Sequence, residues 1–146
     1  MLVAKTIQIW FFLTLCLFLS APVLAEQNIT AASPEGTWVV EQYLNGSGIL
    51  TVPLPDASIT AQFSEESLTG TAGCNTYNTQ YTSAAGALII LGPVMTTKSC
   101  LPSVSIQEED FVRDLKNTAL FQATGSDLLL YDDDEELLVS FIPVKV

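Results

Sequence analysis

Carboxylates and thiols are the side chains of this sequence that could carry chemistry, and many of the carboxylates fall into two runs. Five acidic residues are consecutive at positions 132–136, and three are consecutive at positions 108–110. Carboxylate oxygens are suitable ligands for calcium, and paired carboxylates act as general acid and base in hydrolases. The longer run lacks the spacing and the glycine of an EF-hand loop, so we expect a solvated turn that holds no metal.

Histidine is absent from the 146 residues. Its absence excludes Ser-His-Asp and Cys-His catalysis and removes the commonest ligand of zinc and copper sites. An enzyme built from this chain would have to use carboxylates, tyrosine, lysine or cysteine alone. We therefore predict a protein that is not an enzyme, with no catalytic residues, no cofactor and no metal.

Two of the three cysteines are expected to pair. Cys16 lies inside an N-terminal apolar run, which leaves Cys74 and Cys100 for the rest of the chain. In an exported protein such an even pair usually forms a disulfide. A disulfide between Cys74 and Cys100 would close a loop of 26 residues, which stabilises the fold by about 3–4 kcal/mol on the chain-entropy estimate. The alternatives are two free buried thiols or a reactive cysteine.

The first 25 residues have the pattern of a cleavable secretory signal peptide. Lys5 is their only charge, positions 7–19 are almost wholly apolar, and small residues precede Ala25. We predict cleavage between Ala25 and Glu26. The alternative is an uncleaved membrane anchor, but the apolar run is shorter than the ~20 residues that span a bilayer. We therefore expect cleavage, which leaves no stable membrane anchor.

The mature chain is predicted to be acidic and monomeric. Residues 26–34 are polar and small and are expected to form a flexible lead-in, followed by a single domain over residues 35–146. The mature part carries sixteen acidic and four basic residues, for a net charge of −12. Such a charge repels phosphate backbones and anionic lipids, so nucleic acid is a poor candidate partner. A periplasmic or secreted location follows from the export signal.

Alternating short segments predict a β-rich α+β fold. Ile59, Ala61 and Phe63 alternate with polar residues, as expected for a strand with one buried face. Similar segments recur along the chain at close spacing, with one late helix. We expect an antiparallel sheet curled into a pseudo-barrel, with the helix packed against it.

The predicted helix begins near Ile106 and ends near Asn117. Ser105 is expected to be its N-cap, and Glu108, three residues later, completes a capping box. Glu109 lies four residues before Arg113 and could pair with it. In the first turn the acidic residues at 108–110 suit the helix dipole, which accounts for them without catalysis.

The stretch from Gly70 to Tyr77 is the most specific in the chain. Gly70 and Gly73 imply backbone conformations or close contacts that other residues would resist. Asn75 offers both a donor and an acceptor and can tie a turn to a neighbouring strand. We interpret the stretch as a structural kink fixed by a disulfide beside it. The alternative is a surface site built on that kink.

Several motifs, taken in order, resemble the META domain, the family of the heat-shock protein HslJ. They are Gly36-Thr37-Trp38, Gly73-Cys74-Asn75-x-Tyr77, Pro93-x-x-x-Thr97-x-x-Cys100, Glu108-x-x-Phe111-x-x-x-Leu115 and a final strand pair ending in Phe141. The resemblance implies the curled sheet and packed helix, an envelope location, a loose association with stress or drug tolerance and motility, and no catalytic residues. The family commonly has a glycine in its last hairpin, where this chain has Glu135 and Glu136.

Three functional hypotheses follow. The first is an exported, non-enzymatic protein that binds an envelope protein or a small ligand in envelope stress. The second is a small-molecule carrier, which needs a barrel interior that side chains do not fill. The third is a protease inhibitor or interaction module that uses residues 98–102 as a rigid exposed loop.

Overall fold

The computed structural model describes residues 33–145. The predicted signal peptide, the cleavage site at Ala25 and Glu26, and residues 26–32 of the lead-in lie outside this range. The elements are β1(Gly36–Leu44), β2(Leu50–Thr51), β3(Thr60–Ser64), β4(Ser67–Thr71), β5(Thr76–Ala84), β6(Ala87–Ile90), β7(Val94–Met95), α1(Pro102–Asn117), β8(Leu120–Ala123), β9(Leu128–Tyr131) and β10(Leu137–Pro143). Within residues 33–145, no helix has the length and apolar character needed to cross a bilayer.

Eight antiparallel strands close into a barrel. The hydrogen-bonded order runs β1-β3-β4-β5-β6-β8-β9-β10, and β10 pairs back onto β1 through contacts such as Val40 with Phe141. The pairing of β6 with β8 is the shortest junction, with Ala87 opposite Leu120. The short strands β2 and β7 add to β1 and β5 outside this ring. The predicted β-rich α+β fold with a curled antiparallel sheet and one helix is confirmed.

Period-two alternation builds the core. Ile59, Ala61 and Phe63 are buried as predicted, and their polar neighbours point outward. Large side chains from strands and helix, among them Phe111 and Phe141, fill the inside of the barrel with almost no exposure. Because side chains occupy the interior, the structure does not support a carrier that uses it.

The helix starts four residues before the predicted position. Its N-cap is Leu101, which makes no side-chain cap hydrogen bond, and Pro102 begins the first turn. Proline suits this position because its fixed φ is already helical and it lacks an N–H that would have no partner there. The predicted capping box of Ser105 and Glu108 is therefore wrong. Both residues lie inside the helix, whose first turn contains no acidic residue.

The two ends of the described domain are held by short-range contacts. Pro34, at the end of the predicted lead-in, is buried, and its carbonyl accepts a 2.9 Å hydrogen bond from the indole N–H of Trp38.

In the last hairpin, Asp132 accepts hydrogen bonds from the N–H groups of Asp134 and Glu136 at 3.0 and 2.8 Å. Glu135 adopts φ 63°, the left-handed conformation for which the family's glycine is suited. The acidic run thus forms an exposed turn.

Candidate functional site

Asn75 is the centre of a polar cluster that joins β5, β7 and α1. Its side-chain N–H₂ donates to Glu108 Oε2 at 2.9 Å. Its Oδ1 accepts from the hydroxyl of Thr96 and from the backbone N–H of Lys98, both at 2.8 Å. We call these four residues, Asn75, Thr96, Lys98 and Glu108, the Asn75 cluster. Thr97, which the family motif had suggested, is exposed, and the hydroxyl that enters the cluster is that of Thr96.

The buried carboxylate of Glu108 caps the turn between β4 and β5. Its Oε1 accepts the backbone N–H of Cys74 at 2.9 Å and also that of Asn75. A carboxylate that accepts several N–H groups forms strong, charge-assisted hydrogen bonds. A capping-box glutamate accepts a backbone N–H at the start of its own helix. Glu108 instead accepts backbone N–H groups of a turn more than thirty residues away in the sequence. Glu108 thus caps backbone N–H groups as predicted, but those of the turn between β4 and β5 and not those of its own helix.

The predicted disulfide between Cys74 and Cys100 is confirmed. The S–S distance is 2.05 Å and the Cα–Cα distance is 6.1 Å. The bridge joins the turn that Glu108 caps to the segment that leads into α1. Such bridges are characteristic of oxidising compartments.

Removing the bridge should weaken the whole domain. We expect Cys74→Ser with Cys100→Ser to lower the free energy of unfolding by about 3 kcal/mol, because the unfolded chain regains the entropy of an open loop. Urea denaturation followed by Trp38 fluorescence measures the change, since Trp38 is the single tryptophan outside the predicted signal peptide. Reduction of the unaltered protein is the matched comparison and should give a similar loss. Equal stability with and without the bridge would contradict the prediction.

The glycines of the motif allow close approach of backbone segments. A Cβ on Gly70 would lie 2.0 Å from the carbonyl oxygen of Thr60, which also accepts a 2.8 Å hydrogen bond from the hydroxyl of Tyr77. Burial raises the pKa of Tyr77, which keeps its phenol protonated as a donor. Gly73 has φ +132° and faces the side-chain amide of Gln107. Gly70, Gly73, Asn75 and Tyr77 thus all make close contacts or hydrogen bonds around the turn between β4 and β5.

Gln107 is a structural residue that the sequence analysis missed. It is 1% exposed, and its Nε2 donates to the carbonyls of Ala57 and Ala72 at 2.8 and 3.0 Å. Its Oε1 accepts the N–H of Leu54 at 2.7 Å. These bonds fix the loop between β2 and β3 and the turn between β4 and β5 against the helix. Gln107 lies four residues before the buried Phe111, so helical spacing could have placed it on the buried face.

A second polar cluster holds the turn after β1. Asp114 accepts the N–H of Leu44 at 3.0 Å, and Asp110 accepts that of Gly46 at 2.9 Å. Arg113 bridges both aspartates, with N–O distances of 2.6 Å to Asp110 and 2.9 Å to Asp114. The expected pair of Glu109 with Arg113 is therefore replaced by these two buried partners.

Asp114 should make stability depend on pH. Desolvation raises the pKa of its carboxyl to about 7, although Arg113 and the N–H of Leu44 oppose the rise. A raised carboxyl pKa means that the native state binds the proton more tightly, so stability falls as pH rises from about 4 to about 7 and then levels off. From pH 5 to pH 8 the free energy of unfolding of the unaltered protein should fall. The fall should be about 2 kcal/mol smaller in the Asp114→Asn protein, which has no titrating group at this position. Asp133→Asn, at an exposed site, should leave the unaltered pH profile, and identical profiles for all three proteins would contradict the assignment.

Three residues of the Asn75 cluster, Asn75, Thr96 and Glu108, form the floor of an open cleft between α1 and β7. The cleft has a volume of about 460 Å³. Met95 and Thr96 line the strand side, and the helix side runs from Ser105 to Asn117. We call it the α1–β7 cleft. Phe121 and Tyr131 are among the residues that line a second cleft, of about 430 Å³.

The cluster's polar groups are engaged in structural bonds. Cys74 Sγ, Cys100 Sγ and a Glu108 oxygen lie within 4.8 Å of one another, the spacing of a metal-binding group. The two sulfurs are bonded to each other, however, and thiolates are the form that binds metals. The oxygens of Glu108 already accept N–H groups. This arrangement can brace a surface, and its donor set does not fit a metal ion while the bridge is intact.

Comparison with known proteins identifies the fold and the family. An NMR structure of a protein from Burkholderia xenovorans is 20% identical, with a TM-score of 0.62, and the match covers 76% of this chain and 83% of that one. A crystal structure of a DUF4847 family protein from Bacteroides vulgatus is 17% identical, with a TM-score of 0.54, and the match covers 77% and 94%. No curated protein matches the sequence at a significant level. The family model of the META domain matches residues 27–143, so the chain belongs to the META domain family, as its motifs had predicted.

Proposed function

We propose that this chain is exported and acts without catalysis, as a binding protein of the periplasm or the extracellular medium, through the α1–β7 cleft. The N-terminal pattern and the disulfide support export. The lack of histidine and the structural use of Glu108 support a role without catalysis. The family's association with stress tolerance makes envelope stress the physiological setting that we propose.

The single observation that carries the binding role is the rigid floor of the cleft. Asn75, Thr96 and Glu108 all line or floor it and are locked to backbone or to one another. The adjacent disulfide fixes the same segment. Ligand sites are usually preformed concave surfaces of about 300–1,000 Å³ with a few fixed polar groups, and the α1–β7 cleft fits that description.

Export is tested by N-terminal sequencing of the protein recovered outside the cytoplasm of a Gram-negative host. We expect the sequence to begin at Glu26. Ala25→Phe is the matched control, because a large residue before the cleavage site blocks signal peptidase. A recovered chain that begins at Met1 would overturn the export proposal.

Binding at the cleft is tested by NMR titration of the isotope-labelled mature protein with a diverse library of small fragments. We expect shift changes to cluster at Met95, Thr96 and Val112. Asn117→Trp, an exposed position on the cleft wall, should abolish them. Ile106→Trp, an exposed helix position outside the cleft, should leave them unchanged. Shift changes confined to the cleft at Phe121 and Tyr131, or none at all, would overturn the assignment.

A protease inhibitor is the second candidate, because residues 98–101 form a largely exposed loop that is fixed at two points, immediately before Pro102 begins α1. The N–H of Lys98 is bonded to Asn75, and Cys100 is in the disulfide, while the side chain of Leu101 is 71% exposed. Titration against trypsin tests it. Stoichiometric inhibition that Lys98→Ala abolishes would support the candidate, and cleavage after Lys98 without inhibition would exclude it.

A further inference from the structure

The strand β7 has one edge that no strand covers within the described residues. It pairs with β5 alone, with Tyr77 opposite Met95 and Asn78 opposite Val94. The N–H of Thr96 donates to the carbonyl of Thr76 at 3.0 Å. Antiparallel strands alternate the direction of their backbone groups, so the N–H and C=O of Met95 point away from β5. Met95 lines the α1–β7 cleft, so the uncovered edge of β7 borders it.

The helix forms the opposite wall of the same cleft. Val112, which is 9% exposed, is an apolar residue of this wall, and the exposed side chains of Glu109 and Lys116 form its rim. A groove between an open strand edge and a helix is the geometry in which extended peptides bind by adding a strand. Main-chain hydrogen bonds then supply affinity, and the side chains of the walls supply selectivity.

The charges at the rim select the occupant. Arg113 is committed to Asp110 and Asp114, and Glu108 to the turn after β4. Glu109 and Lys116 make no ion pair within residues 33–145 and are exposed. The two residues are seven positions apart on the helix, or about 10 Å along its axis. Three residues of an extended strand span about the same distance.

We propose that the α1–β7 cleft binds an extended segment of a partner protein as an added β-strand beside Met95. The segment carries an acidic side chain that meets Lys116 and a basic side chain that meets Glu109, two to four positions apart. This inference rests on the proposed function and names its partner class. A small ligand without a peptide backbone is the competing occupant.

Selection from a phage-displayed library of random dodecapeptides tests the proposal, with the folded mature protein as bait. We expect enriched peptides to share the acidic and basic pair, and a synthetic consensus peptide to protect the Met95 amide from hydrogen exchange. Glu109→Lys with Lys116→Glu reverses the rim charges without changing the net charge. This variant should bind the consensus peptide five- to tenfold more weakly and prefer a peptide with the two charges exchanged.

A charge swap away from the cleft is the matched control. Asp133→Lys with Lys145→Glu alters two exposed charges and should leave peptide affinity unchanged. Met95→Pro removes the N–H at the uncovered edge of β7 and should abolish peptide binding. If peptides bind equally well to the rim-swapped protein, or leave the Met95 amide unprotected, strand addition is wrong. If fragments occupy the cleft but no peptide is enriched, the proposed binding function stands and the peptide inference fails. If neither fragments nor peptides bind, the binding function and the peptide inference both fail.

Discussion

Replacing Glu108 with alanine is expected to lower the free energy of unfolding by about 3 kcal/mol. The substitution leaves the N–H groups of Cys74 and Asn75 and the side-chain amide of Asn75 without their acceptor. Each buried donor without a partner costs about 1–3 kcal/mol, part of which water entering the vacated space recovers. Urea denaturation followed by Trp38 fluorescence measures the loss.

The neighbouring residue supplies the control for this prediction. Glu109→Ala removes the same carboxylate from an exposed position of the same helix and should change stability by less than about 0.5 kcal/mol. Glu108→Gln should fall between the two, since it keeps one acceptor oxygen but sets a second amide donor against Asn75. If Glu108→Ala and Glu109→Ala proved equally mild, the capping role of Glu108 would be refuted.

Gly70→Ala is expected to destabilise the domain by about 3 kcal/mol or more. A Cβ at this position lies 2.0 Å from the carbonyl oxygen of Thr60 and 2.8 Å from the hydroxyl of Tyr77. The first contact is with backbone, so β3 and β4 must separate, and the hydrogen bond from Tyr77 to Thr60 is lost with them. Overpacking of this kind typically costs about 1–3 kcal/mol, and more when backbone must move.

A second glycine separates this steric effect from the general effect of adding a methyl group. A Cβ on Gly92 would have no neighbour within 4 Å, and the φ of Gly92 is not in the left-handed region, so Gly92→Ala should be neutral or slightly stabilising. Thermal melts of both variants against the unaltered protein make the comparison. A Gly70→Ala protein that melts with the Gly92→Ala protein would show that the close approach at Thr60 is unimportant.

Local pattern predicted the strands because their signal lies within a few residues. The alternation of Ile59, Ala61 and Phe63 depends only on period two and one buried face, and all three are buried as predicted. The disulfide was predicted from the expected oxidising compartment and from the even number of cysteines outside the predicted signal peptide, without any knowledge of geometry. These parts of the fold could be derived because neither needs knowledge of distant contacts.

The helix and its polar face show where such reasoning fails. Ser105 and Glu108 match a capping box in spacing, but Pro102 starts the helix earlier and Glu108 bonds a turn more than thirty residues away. Asp114 is buried for the same reason, since it accepts the N–H of Leu44. One local indication existed: Asp114 lies three residues after Phe111, on the face that helical spacing buries. A polar residue on an apolar face predicts a long-range partner without identifying it.

The closure of the barrel by its first and last strands has a consequence for how the protein folds. Val40 of β1 pairs with Phe141 of β10, so this contact closes a loop of about a hundred residues. Contacts between residues far apart in sequence slow folding, because loop-closure entropy is lost before the contacts stabilise the chain. A chain that is still being translocated, with β10 not yet released, cannot complete its ring. Late closure would keep the emerging polypeptide unfolded until β10 is released, which would suit the export that we propose.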